Sequence, residues 1–264
     1  VILVYGIDGV LEPMNIEGAA YASVFSQFIM ALCSAYFLLK KTIIPLKINF
    51  PFNHEIKRFV FMILNLFVRT IALNVTLYFA SAFATSYGSE YIAAYTIAIN
   101  LWFLGAFIID GYSSAGNILS GKLYGAKAYH LLIKLSNQLI KYGIIIGFIT
   151  ASIGALFYFP LGRIFTSDPK VLQVFYEVFW VVLLMQPFCA LAFIFDGIFK
   201  GLGKMKYLRN VLLFATFLVF VPILFCLDSL DFKLYAIFTA LTIWIIARGI
   251  PLIIKFRQLF LPLV

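Results

Sequence analysis

The sequence predicts an all-α, polytopic membrane protein. Of its 264 residues 64% are hydrophobic and only 12% are charged, whereas a soluble domain carries about 25% charged residues. The mean hydropathy is +1.03. Apolar runs recur along the whole chain, each with the roughly 20 residues that a helix needs to cross a hydrocarbon core about 30 Å thick. A transmembrane β-barrel would show strands of about ten residues alternating in polarity, and these runs are longer and do not alternate.

Seven spans are predicted, roughly 17–39, 57–84, 91–119, 134–160, 171–198, 207–227 and 234–256. The apolar opening, Val1 to Gly6, is too short to span and lacks the basic start of a signal peptide. It reads as the tail of a helix whose start lies upstream. Residues 40–56 follow the first full span and contain Pro45 and Pro51 with several lysines. They read as a cytoplasmic linker between two helical lobes. The domain reading is therefore 1–39 as the end of a truncated N-terminal lobe, 40–56 as the linker and 57–264 as a complete C-terminal six-helix lobe.

Orientation follows from loop charge. Lys40, Lys41, Lys47, Lys57 and Arg58 lie between the first two spans, Lys122, Lys127 and Lys134 follow the third, Lys200, Lys204, Lys206 and Arg209 follow the fifth, and Lys255 and Arg257 close the last. The intervening loops hold acids such as Glu90, Asp168, Asp228 and Asp231. This alternation puts the C-terminus on the cytoplasmic side of a cell (inner) membrane. It also accounts for the net charge of +9 without a nucleic-acid partner. Cys33, Cys189 and Cys226 fall inside apolar spans as small packing residues, and His54 and His130 fall in predicted loops. No metal site, cofactor or enzymatic constellation is expected.

The charged residues within the predicted spans are the functional candidates. Arg69, Asp110, Asp196 and Arg248 each place an ionisable group in or near hydrocarbon, at a cost of at least about 2.5 kcal/mol on insertion scales. Such groups face a cavity or pair with one another. At 1.5 Å per residue, Arg69 lies roughly 18 Å and Asp110 roughly 15 Å from the inner ends of two consecutive antiparallel spans. Two readings stay open: Arg69–Asp110 as a structural ion pair locking two helices, and Asp110 as a proton-linked or substrate-facing carboxylate. Asp196, followed by Gly197, Lys200 and Lys204, reads as a helix-end arrangement near the cytoplasmic surface. Among uncharged polar residues, Asn100 is the best candidate to line a cavity, and Gln186 precedes a mid-span Pro187 that favours a kink. A weak repeat links Asp110-Gly111-Tyr112 and Gly121-Lys122 to Asp196-Gly197-Ile198 and Gly201, of the kind common in secondary transporters. The 30 Phe and 15 Tyr offer faces for a flat lipophilic cation, though the sequence does not select which.

Several segments together resemble MATE (multidrug and toxin extrusion) transporters, in the DinF branch of the MOP flippase superfamily. They are Arg69 to Leu73, Tyr87 to Ile97, Asp110 to Ala115, Gly121 to Ala126, Phe195 to Gly203 and, near the start, Gly18 to Gln27. The resemblance covers essentially the whole chain and aligns it with the end of the family's fifth helix and helices six to twelve. It implies a partner in the missing N-terminal helices of the same polypeptide. It further implies a secondary antiporter that exports amphiphilic, often cationic, small molecules in exchange for H+ or Na+. The family's coupling carboxylates on its first and fifth helices lie outside this sequence, the latter aligning about one residue before Val1. Ser23 matches a sixth-helix hydroxyl associated with that site. The seventh-helix Glu of other branches has no counterpart here. The alternatives are a flippase of lipid-linked oligosaccharide or peptidoglycan precursors, which would favour a strongly basic cavity, and a seven-helix receptor. The receptor reading lacks a mid-span lysine in the last helix and an Asp-Arg-Tyr after the third span.

Overall fold

Apolar segments of this length can satisfy their backbone in lipid only as helices, and helices are what form. A computed structural model describes residues 14–41 and 55–263. The predicted fifth-helix tail and most of the predicted linker lie outside the described residues. Among the described residues seven helical segments are long and apolar enough to cross a membrane. The chain divides into two units, Val1–His54 and Glu55–Val264.

In the first unit, α1 (Asn15–Lys41) carries large apolar side chains around its circumference, among them Tyr21, Phe25, Phe28, Met30 and Phe37, all exposed. Lys40 lies 5.0 Å over the Tyr36 ring. Ser23 is exposed within this unit.

The second unit is a helical bundle. It contains α2 (Glu55–Ser86), α3 (Ser89–Gly125), α4 (Tyr129–Leu156), the short α5 (Tyr158–Phe165) and α6 (Pro169–Gly201). A span follows that is built from α7 (Met205–Phe214), a π-helical stretch (Ala215–Phe220) and α8 (Val221–Asp228), and α9 (Leu234–Phe260) closes the bundle. The connections are tight. Gly88, at φ 125°, turns the chain between α2 and α3, in a conformation that a side chain would strain.

The central element is α6, which packs against α3, α4 and α9. It is apolar all round, the pattern of a helix surrounded by others. Its start is set by Asp168, whose carboxylate accepts the Lys170 amide hydrogen at 2.9 Å, and by Pro169 at the first helical position. Gly197 and Gly201 sit one turn apart and let the α6 backbone touch α3, as small residues do in membrane bundles. The Ser113 hydroxyl donates to the Phe193 carbonyl at 2.6 Å. A Cβ on Gly201 would fall 3.0 Å from the Gly121 amide nitrogen. The contacts 113 to 193 and 121 to 201 advance together, so α3 and α6 run parallel. The two halves of the weak sequence repeat pack against each other here.

The structure departs from the predicted spans in places. The fourth span begins at Tyr129, which places His130 in a helix, and it stops at Leu156 instead of running to 160. The sixth span is not uniformly α-helical. Its π segment buries Thr216, which bonds the Thr76 hydroxyl of α2 at 3.0 Å and accepts from Trp244 Nε1 of α9 at 3.1 Å. Of the cysteines only Cys189 is a buried packing residue, accepting from Trp102 Nε1 at 3.1 Å. Cys33 and Cys226 are exposed on their own units.

Candidate functional site

Three helices of the second unit bring charged side chains to one place. Arg69 comes from α2, Asp196 and Lys200 from α6, and Arg248 from α9. Arg69 Nη2 lies 2.6 Å from Asp196 Oδ1, Lys200 Nζ 2.9 Å from Asp196 Oδ2, and Arg248 Nη2 4.0 Å from Asp196 Oδ1. Arg69, Asp196 and Arg248 are 9%, 5% and 3% exposed. Lys200 stands one turn beyond Asp196 on the same helix face, the spacing at which side chains of a helix meet. The Arg248 guanidinium also lies 4.9 Å from the Trp244 ring and 5.2 Å from the Phe193 ring, within cation–π range of both.

A cavity of about 270 Å³ opens beside this cluster, between α2, α3, α6 and α9. Trp102, Phe103, Phe107 and Asp110 of α3 form one of its walls, and Phe103 and Phe107 stack there at 5.9 Å. Among the described residues no group of His, Cys, Asp and Glu is arranged to hold a metal ion.

Four of the sequence-predicted residues, Arg69, Asp110, Asp196 and Arg248, therefore border one cavity. The expected Arg69–Asp110 pair does not form; Arg69 is bonded to Asp196. Depth estimates place a residue along the bilayer normal but carry no information on which way it points. Asp110 lies on the α3 face shared with Phe107, exposed in this unit, whereas Asp196 lies on a face of α6 that looks into the bundle. Asp196 is thus an interior anchor as well as a helix-end residue.

Asn100 does not line the cavity. It is exposed, and its carboxamide donates to the Thr96 carbonyl at 2.7 Å. Gln186 is 4% exposed and its Oε1 has no partner among the described residues. It borders a separate apolar cavity of about 160 Å³ between α3, α4 and α6, where Gly105 leaves room for it. Ser23 belongs to the other unit. Sequence reasoning did not select Trp102, Phe103 and Phe107. Their spacing with Ala106 and Asp110 repeats one helix face, which was the available signal. Trp244, four residues before Arg248, is the same kind of signal on α9.

Residues 62–225 match the family model described as MatE. Protein DETOXIFICATION 42 of Arabidopsis thaliana is 28% identical over 89% of this chain and 45% of its own length. DNA damage-inducible protein F of Escherichia coli (strain K12) is 22% identical over 93% of this chain and 54% of its own. A solved structure of a multidrug resistance MATE family transporter of the MOP superfamily, in an outward-facing conformation, superposes with a TM-score of 0.85. It is 20% identical, over 99% of this chain and 59% of that one. The chain spans about half, or less, of the length of the curated relatives it matches.

Proposed function

The chain belongs to the MatE family, and on that premise we propose that the protein is a secondary active antiporter of the DinF branch. It exports amphiphilic small molecules in exchange for H+ or Na+, and the cavity between α2, α3, α6 and α9 belongs to its substrate path. The observation that carries the reading is the cavity itself. Buried charge within an apolar bundle is expensive, and its usual place is a pathway or binding site. The stacked Phe103 and Phe107 rings give the same cavity an apolar wall suited to a flat ligand body. The loop charges support a cell membrane location with a cytoplasmic C-terminus.

The test is transport by the intact protein in proteoliposomes. A panel of fluorescent amphiphiles of both charge signs is offered under an imposed proton gradient and, separately, a sodium gradient. Accumulation of at least one probe that needs one of the gradients is the expected result. Fluxes identical to empty liposomes for the whole panel under both gradients would refute antiport.

A further inference from the structure

We infer that Thr216, on the π-helical stretch, is a positioning residue: it holds the Trp244 indole, and the indole holds the Arg248 guanidinium at the cavity wall. Its bearing on transport rests on reading that cavity as part of the substrate path. Thr216 is fully buried and is not among the residues that line the cavity, so it acts through Trp244 and Arg248, which do.

The sequence isolates this hydroxyl. Between Asn210 and Cys226 every residue except Thr216 is apolar. The backbone singles out the same place. Pro222 has no amide hydrogen to return to the carbonyl four residues back, and the Val221 amide hydrogen reaches back to the Thr216 carbonyl. The turn widens there into the π stretch, a feature frequent at functional sites.

The hydroxyl completes a chain of hydrogen bonds. Trp244 Nε1 donates to Thr216 Oγ1 at 3.1 Å, the Thr216 and Thr76 hydroxyls bond at 3.0 Å, and Thr76 Oγ1 donates to the Ala72 carbonyl at 3.2 Å. A threonine hydroxyl has one hydrogen to give. Thr76 gives its hydrogen to Ala72, so Thr216 gives its own to Thr76 and accepts from the indole. Every hydrogen runs one way, from α9 through the sixth span to α2, and bonds aligned in series strengthen one another. A buried indole N–H needs an acceptor, and Thr216 supplies it.

The indole passes this constraint to the charged cluster. Trp244 stands one turn before Arg248 on α9, the spacing at which side chains of a helix meet. The guanidinium lies 4.9 Å from the Trp244 ring and 5.2 Å from the Phe193 ring. It reaches Asp196 Oδ1 only at 4.0 Å, beyond hydrogen-bond distance, so the carboxylate does not fix its place. The two rings do, and the Phe193 ring has no polar atom by which to be anchored. Trp244 is the anchored one, and Thr216 is its anchor.

The test labels the arginines of the intact protein in detergent with phenylglyoxal and reads each site by peptide mass spectrometry. Thr216→Val keeps the shape and removes the acceptor. Arg248 should then be labelled about fivefold faster, the scale of one net hydrogen bond, while Arg69, bonded to Asp196, keeps its wild-type rate. Thr216→Ser should restore the wild-type rate at Arg248. Thr76→Val should matter less, because Thr216 still has the Ala72 carbonyl at 3.5 Å. In a Trp244→Phe background, which has no N–H to hold, Thr216→Val should add nothing. If Thr216→Val does not fold, Thr216→Ala carries the same expectations. Equal acceleration at Arg69 and Arg248, no acceleration, or no rescue by serine would overturn the inference. In proteoliposomes the apparent KM for ethidium, or for 8-anilinonaphthalene-1-sulfonate if only the anion is moved, should rise about fivefold in Thr216→Val. An unchanged KM would also overturn it. If the wild-type protein moves no probe while the labelling pattern holds, antiport alone falls.

Discussion

Arg69 of α2 and Asp196 of α6, separated by 127 positions in sequence, meet through a 2.6 Å hydrogen bond inside the bundle. Lys200 and Arg248 share the same carboxylate. The single negative charge of Asp196 is therefore shared among three cations, and the cluster depends on it unequally.

Replacing Asp196 by Asn should be the most damaging single change in the cluster. Removing one partner of a buried pair leaves charge uncompensated and costs about 3 kcal/mol or more. Thermal unfolding in detergent should show a large drop in melting temperature for Asp196→Asn and a smaller one for Arg69→Gln. The double variant should lose less than the sum of the two singles. Strictly additive losses would mean that the 2.6 Å contact carries no coupling energy.

Helix contact supplies the second prediction. A Cβ on Gly197 would lie 2.6 Å from the Ser113 carbonyl oxygen, and backbone atoms cannot move aside cheaply. Gly197→Ala should destabilise the protein by roughly 1–3 kcal/mol, the range for overpacking. Gly111, also in a helix, has nothing within 4 Å of the same added atom. Gly111→Ala should be neutral or stabilise by about 0.5–1 kcal/mol through helix propensity. Fluorescence-detected size-exclusion after a heat step would rank the pair, and the opposite order would contradict the α3–α6 contact.

Alkaline pH supplies the third. The Tyr87 hydroxyl donates to the Asp228 carboxylate, and burial first, then that bond and the charge of Asp228, raise its pKa above the usual tyrosine value. A raised folded pKa means that the native state keeps a proton the unfolded chain loses. The stabilisation is therefore fully present below about pH 10 and lost as pH rises beyond it. Melting temperature compared between wild type and Tyr87→Phe at pH 8 and at pH 10.5 should show a difference that shrinks at the higher pH. A constant difference would remove Tyr87 ionisation from the account.

Much of this architecture is legible in residue chemistry. Long apolar runs force helices, and loop lysines mark their ends. The partner of Arg69 was hidden because a depth estimate cannot resolve the direction in which a residue faces around its helix. The α6 residue Asp196 looks superficial by its distance from the helix end, and it is interior because α3 and α9 wrap it. The aromatic wall was equally hard to select among 30 phenylalanines, since Phe103 and Phe107 differ from their neighbours only by the neighbours they meet. Gln186 showed the converse problem. A polar residue before a mid-span proline draws attention, yet it borders an apolar pocket away from the charges.

The π stretch Ala215–Phe220 has a consequence for insertions and deletions. A π turn accommodates surplus backbone inside an otherwise α-helical segment, so the helical halves on either side keep their facings despite it. Losing one residue between 215 and 220 would let that span relax to a continuous α-helix with both halves still in phase. The same loss in α6 would rotate everything beyond it by about 100°, turning Asp196 away from Arg69. Among these spans, the sixth is the one in which chain length can drift by a residue while the bundle keeps its registration.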